Sequence, residues 1–108
     1  VKLAAAGTAR SLRNDVDRGA AVGRATCYAR DLSNLPAAEA TPAFLAREAR
    51  AIGRRQKLAV KVLDAAAMQR LGMGGVLGVA RGSDQPPRFL ELVYRPTRRP
   101  RRVVALVG

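Results

Sequence analysis

The sequence predicts an α/β fold, a mixed β-sheet flanked by helices, of which this chain forms an incomplete part. Two observations carry that expectation. Hydrophobic periodicity switches along the chain between helical and strand spacing, giving the order α, α, β, α, β, β, β. The run Val103-Val104-Ala105-Leu106-Val107 is apolar throughout, the pattern of an interior strand covered on both faces, and such a strand requires neighbours that the preceding segments do not all supply.

The leading helix falls within residues 1–32. Leu12, Val16, Ala20, Gly23 and Cys27 recur at spacings of four, four, three and four, one face of a helix, with Arg13, Arg18, Arg24 and Arg30 off the stripe. It should end near Leu32, because Ser33, Asn34 and Pro36 favour turns and the residue before a proline avoids the helical region. Residues 41–108 hold the α/β part, and 1–108 are read as a single segment with no linker or internal repeat.

A second helix opens at Thr41-Pro42, a capping hydroxyl followed by a proline whose missing N–H costs nothing in the first turn. Phe44, Leu45, Ala49 and Ile52 are its expected buried face and Gly53 its expected stop. Residues 58–63, LAVKVL, alternate as a strand; Asp64 caps the short helix AAAMQRL, which Gly72 ends. VLGVA, 76–80, is expected as a strand, as is RFLELVYRP after the rigid Asp84-Gln85-Pro86-Pro87 turn. The latter is expected to form a hairpin with VVALV through the Pro- and Arg-rich connection.

Composition limits the chemistry. Hydrophobic residues make up 48% of the chain but aromatics only 4%, so Ala, Val and Leu must fill the core. A chain of 108 residues buries a modest share of its surface when folded alone. There is no His, which excludes Ser-His-Asp and Cys-His nucleophiles and any His-containing zinc site. The lone Cys27 excludes an internal disulfide and points to a reducing compartment. No apolar run has bilayer-spanning length, and the start, VKLAAAGTAR, is too polar to be a signal peptide, so the cytoplasm is the expected location.

Glycines at 72, 74, 75, 78 and 82 invite comparison with phosphate loops. A dinucleotide fingerprint begun at Gly72 would place its third glycine at Leu77, and there is no Gly-Lys-Ser/Thr. These glycines therefore read as structural.

Three blocks carry a resemblance: YARDLSNLPAAEATPAFLAREA (28–49), LGMGGVLGVARGSDQPPRFLELVY (71–94) and VVALVG (103–108). In order and spacing they resemble the leucyl (cytosol) aminopeptidase family. The matching residues are Arg30-Asp31-Leu32, Asn34-x-Pro36, Thr41-Pro42, Met73-Gly74, Arg81-Gly82-Ser83 and Pro87. The sequence departs at Ala38, where the family often has Asn.

The resemblance implies the start of a C-terminal catalytic domain, in a cytoplasmic enzyme that removes N-terminal residues from peptides with two divalent ions, zinc or manganese, and assembles as a homo-oligomer, a hexamer. In the family the strand resembling VVALVG is followed by the metal-binding Lys and Asp, with the other carboxylate ligands and a catalytic Arg further on. None of these positions falls within 1–108, so no catalytic and no metal-ligating residue is assigned here and this chain alone is expected to be inactive. Its eight carboxylates, Asp15, Asp17, Asp31, Glu39, Glu48, Asp64, Asp84 and Glu91, form no di-metal pattern; Asp15 and Asp17, two apart on a helix, do not share a face.

The alternative is a basic nucleic-acid-binding or structural partner module. Twenty Lys and Arg against eight Asp and Glu give a net charge of +12, which self-repels and favours anionic partners. Arg95, Arg98, Arg99, Arg101 and Arg102 are the candidate phosphate contacts. Against this, only Tyr94 lies near enough to stack on a base, and a solvated hairpin tip or a GC-rich coding sequence accounts for the arginines equally well.

Overall fold

The computed structural model describes residues 8–97 and 100–108. Two compact units are present, Val1–Ala40 and Thr41–Gly108.

The first unit is built on α1, Ala9–Ser33. It starts three residues before the apolar stripe because Thr8 caps it: Thr8 Oγ1 accepts from the Ser11 N–H at 3.3 Å, and Ser11 Oγ donates back to the Thr8 carbonyl at 2.9 Å. The Asn34 N–H closes the far end on the Arg30 carbonyl at 2.9 Å. No residue of α1 is buried; Leu12, Tyr28 and Leu32 are half-covered. Its helicity therefore rests on local propensity and caps, which leave an isolated helix marginal.

The second unit begins with α2, Pro42–Gln56. Thr41 Oγ1 accepts from the Phe44 N–H at 3.2 Å, and Pro42 occupies the first turn, as the Thr-Pro pair predicts. The buried face corrects the sequence expectation. Ala46, Ala49 and Gly53 are buried, whereas Phe44 and Ile52 are half-exposed and Leu45 is exposed. The helix lies so close to the strands beneath it that only the smallest residues fit between.

Gly53 does not stop the helix, contrary to the sequence expectation. α2 continues to Gln56 and ends on Lys57, which adopts the left-handed conformation (φ 54°, ψ 41°), while the Leu58 N–H reaches the Gly53 carbonyl at 2.9 Å.

β1, Ala59–Leu63, leads into α3, Ala65–Arg70, through Asp64, whose Oδ1 accepts from the Ala67 N–H at 2.8 Å. Gly72, at φ 69°, terminates α3 as expected. Its N–H bonds the Gln69 carbonyl and the Met73 N–H bonds the Met68 carbonyl, both at 3.0 Å, the paired bonds of a Schellman cap.

Residues 74–80 overturn an expectation. They form a helix, α4 (Gly74–Ala80), not a strand. A five-residue apolar run fits either period. Here Met73, Leu77 and Ala80, at spacings of four and three, are half-buried, while Val76 and Val79 face solvent, so the helical reading places more apolar surface inward.

After a turn in which Ser83 Oγ accepts from the Gln85 N–H, β2 (Phe89–Val93) pairs antiparallel with β1. Ala59 stands opposite Val93, Lys61 opposite Glu91 and Leu63 opposite Phe89. Met68, fully buried, with Ala46 and Ala49, makes the apolar core.

The expected hairpin between RFLELVYRP and VVALV is absent, and residues 103–107 form no strand. Val103, Val104, Leu106 and Val107 are 79–97% exposed. The pattern that marks an interior strand remains, but the described sheet has two strands only, and the run lacks a ladder to join. Helices set on a small antiparallel sheet are the architecture of a partial α/β domain.

Candidate functional site

Arg95, Arg101 and Arg102 lie outside regular structure and are exposed. Arg98 and Arg99, the other two members of the proposed phosphate-binding group, lie outside the described residues.

The carboxylates are dispersed. Asp15, Asp17, Asp31 and Glu39 are exposed in the first unit. In the second, Asp64 is committed to capping α3, Glu91 stands across the ribbon from Lys61, and Asp84 occupies the exposed turn before β2. Among the described residues no three His, Cys, Asp or Glu side chains come together. A dinuclear hydrolytic centre requires several oxygen or nitrogen donors converging on ions roughly 3.5–4 Å apart, and the described residues do not fit one.

An open depression of about 350 Å³ lies where α2 meets β1, lined by Arg50, Gly53, Arg54, Leu58 and Val60. It contains two guanidiniums and apolar surface, with no carboxylate, hydroxyl or thiol to serve as base or nucleophile. Sequence reasoning missed it because it arises from the close approach at Gly53. A Cβ built there would clash with Val60 Cγ2. One turn before Arg50, the Arg47 guanidinium lies 5.4 Å from the Phe44 ring centroid, a cation–π contact.

The motif residues occupy a different kind of place. Arg30-Asp31-Leu32 end α1 and Asn34 caps it; Thr41-Pro42 start α2; Met73-Gly74 open α4; Arg81-Gly82-Ser83 make the turn that leaves it. Pro87 precedes β2. Nearly all of them mark where elements begin and end.

Residues 27–108 match the cytosol aminopeptidase family, catalytic domain. The chain belongs to this family. Among curated relatives, proteins named "Probable cytosol aminopeptidase" are similar to it: that of Aromatoleum aromaticum (strain DSM 19018 / LMG 30748 / EbN1) is 45% identical over 98 residues, covering 91% of this chain and 20% of the relative. That of Mycobacterium marinum (strain ATCC BAA-535 / M) is 46% identical over 106 residues, covering 94% of this chain and 20% of the relative. That of Mycobacterium ulcerans (strain Agy99) is 44% identical over 112 residues, covering 99% and 22%. The chain thus spans about one fifth of the length of these relatives. No solved structure matches it.

All three blocks of the resemblance fall within the aminopeptidase match, whereas most of α1 precedes it. Among the described residues no helix is long and apolar enough to cross a membrane.

Proposed function

We propose that this chain supplies scaffold to the catalytic domain of a metal-dependent leucyl aminopeptidase, an enzyme that removes N-terminal residues from peptides. Residues 1–32 provide the leading helix and 41–108 the first α/β part. The family match over 27–108 carries this reading, and the use of the motif residues as caps and turns supports it.

The two divalent ions, zinc or manganese, belong to residues outside this sequence in this reading, because the donors present do not fit such a site. The chain by itself is inactive. The complete enzyme acts on peptides in the cytoplasm as a homo-oligomer, a hexamer. The test is hydrolysis of a leucyl amide by the purified chain with added Mn²⁺ or Zn²⁺. The expected rate equals that of buffer and metal alone; turnover that copurifies with the 11.5 kDa chain contradicts the reading.

A second reading, binding of nucleic acid, is favoured by the net charge of +12 and the exposure of Arg95, Arg101 and Arg102. Released counterions would make oligonucleotide affinity fall steeply with salt, and replacing those arginines with Ala would flatten the slope by about one for each phosphate no longer engaged. Affinity independent of salt would count against it.

A further inference from the structure

Arg50 and Arg54 stand four residues apart on α2, so they are neighbours on one face of the helix, and both are exposed. Like charges at this spacing repel each other. Glu48, the single acidic residue of α2, is two positions from Arg50 and does not share that face. No carboxylate lines the depression that both arginines border. The helix thus carries a charge pair that an anion seated against it would stabilise.

Gly53 shapes the space beside this pair. Its missing side chain lets Val60 approach, and the depression of about 350 Å³ joins the two arginines to the half-buried Leu58 and Val60. Arg47, one turn earlier, is drawn over the Phe44 ring at 5.4 Å and does not line the depression.

A guanidinium is a planar fork of donors that grips two oxygens of an anion at once. A carboxylate has two oxygens and one negative charge, enough for one fork. A phosphate monoester presents three free oxygens and close to two charges, so it can engage both forks and cancel their repulsion. The depression lies along the last turns of α2, where the helix dipole disfavours anions; that dipole amounts to roughly half an elementary charge, against two full positive ones. The volume exceeds that of a bare phosphate group, and Leu58 and Val60 offer apolar surface to whatever the phosphate carries.

We infer that the depression between α2 and β1 is a binding site for a phosphate monoester, with the phosphoryl oxygens held by Arg50 and Arg54 and an apolar ester group laid on Leu58 and Val60. Neither the aminopeptidase reading nor Arg95, Arg101 and Arg102 enter this assignment.

The test is titration of the isotopically labelled 108-residue chain with phenyl phosphate and, separately, with inorganic phosphate at low ionic strength, followed through its amide NMR shifts. The expected shifts saturate as one site and are largest over residues 50–60, with phenyl phosphate bound at least about threefold more tightly than inorganic phosphate. Arg50→Gln or Arg54→Gln should weaken phenyl phosphate by about tenfold or more, and Arg50→Lys, which keeps the charge but not the fork, should weaken it too. Arg55→Gln, which removes a charge next in sequence that does not line the depression, should change the affinity by less than about twofold. The shift map of the wild-type chain gives its answer whether or not a variant folds. Shifts that fail to saturate, that centre on residues 94–102, or that Arg55→Gln reduces as much as Arg54→Gln does overturn the inference. Equal affinity for the two phosphates overturns it as well, because Leu58 and Val60 would then take no part.

Discussion

Gly53 of α2 lies directly against Val60 of β1: a Cβ added to the glycine would clash with Val60 Cγ2 and stand 3.4 Å from the Leu58 carbonyl oxygen. This contact sets the distance between helix and sheet in the second unit, and it explains why Ala46 and Ala49, not the larger Phe44 and Leu45, form the buried face.

Replacing Gly53 with Ala sets two effects against each other. Ala favours a helix by about 1 kcal/mol over Gly, whereas overpacking a tight contact costs about 1–3 kcal/mol. Val60 can relieve the clash only by rotating about χ1 or moving the strand, so the penalty should win. The expected outcome is net destabilisation of about 1 kcal/mol for Gly53→Ala and more for Gly53→Leu, measured by urea unfolding. A stabilised Gly53→Ala variant would show that helix and sheet separate easily.

Two left-handed positions should respond in opposite directions. Gly72, at φ 69°, forms the Schellman cap of α3, and Gly72→Ala should cost about 1 kcal/mol through backbone strain alone, since nothing lies within 4 Å of the added Cβ. Lys57, at φ 54°, already bears that strain, and Lys57→Gly should stabilise the chain by about 0.5–1 kcal/mol. Thermal unfolding midpoints should move down and up respectively.

Met68 is the one large side chain shielded completely from solvent among the described residues. Met68→Ala should cost about 2–5 kcal/mol. The core around it is small, so loss of the folded second unit is the expected result, seen as the loss of cooperative unfolding.

Thr41→Ala removes the acceptor for the Phe44 N–H and should cost about 1 kcal/mol, while Thr41→Ser should be nearly neutral. Comparable melting temperatures for Ala and Ser would mean that Pro42 alone starts α2.

The parts of the fold legible in sequence are those decided within a few residues. Thr41-Pro42, Asp64 and Gly72 do what their side chains and φ preferences dictate, because a cap is a local event. Expectations resting on distant neighbours fared worse. VLGVA carries both periods, and the inward stripe of Met73, Leu77 and Ala80 decides for the helix. Hydrophobicity ranks Phe44 and Leu45 above Ala46 for the buried face of α2, while proximity to Val60 favours the smaller residue. Residues 103–107 need a ladder that the described strands do not offer. The candidate arginines were legible only as a list: Arg95, Arg101 and Arg102 are exposed, and their sequence spacing says nothing of a shared surface.

The proposed scaffold role requires that this chain hold no hydrolytic metal pair of its own. Calorimetric titration of the purified chain with Zn²⁺ and Mn²⁺ tests it most directly. The predicted result is no saturable heat at a stoichiometry of one or two ions per chain. Tight binding of two ions per chain would contradict it.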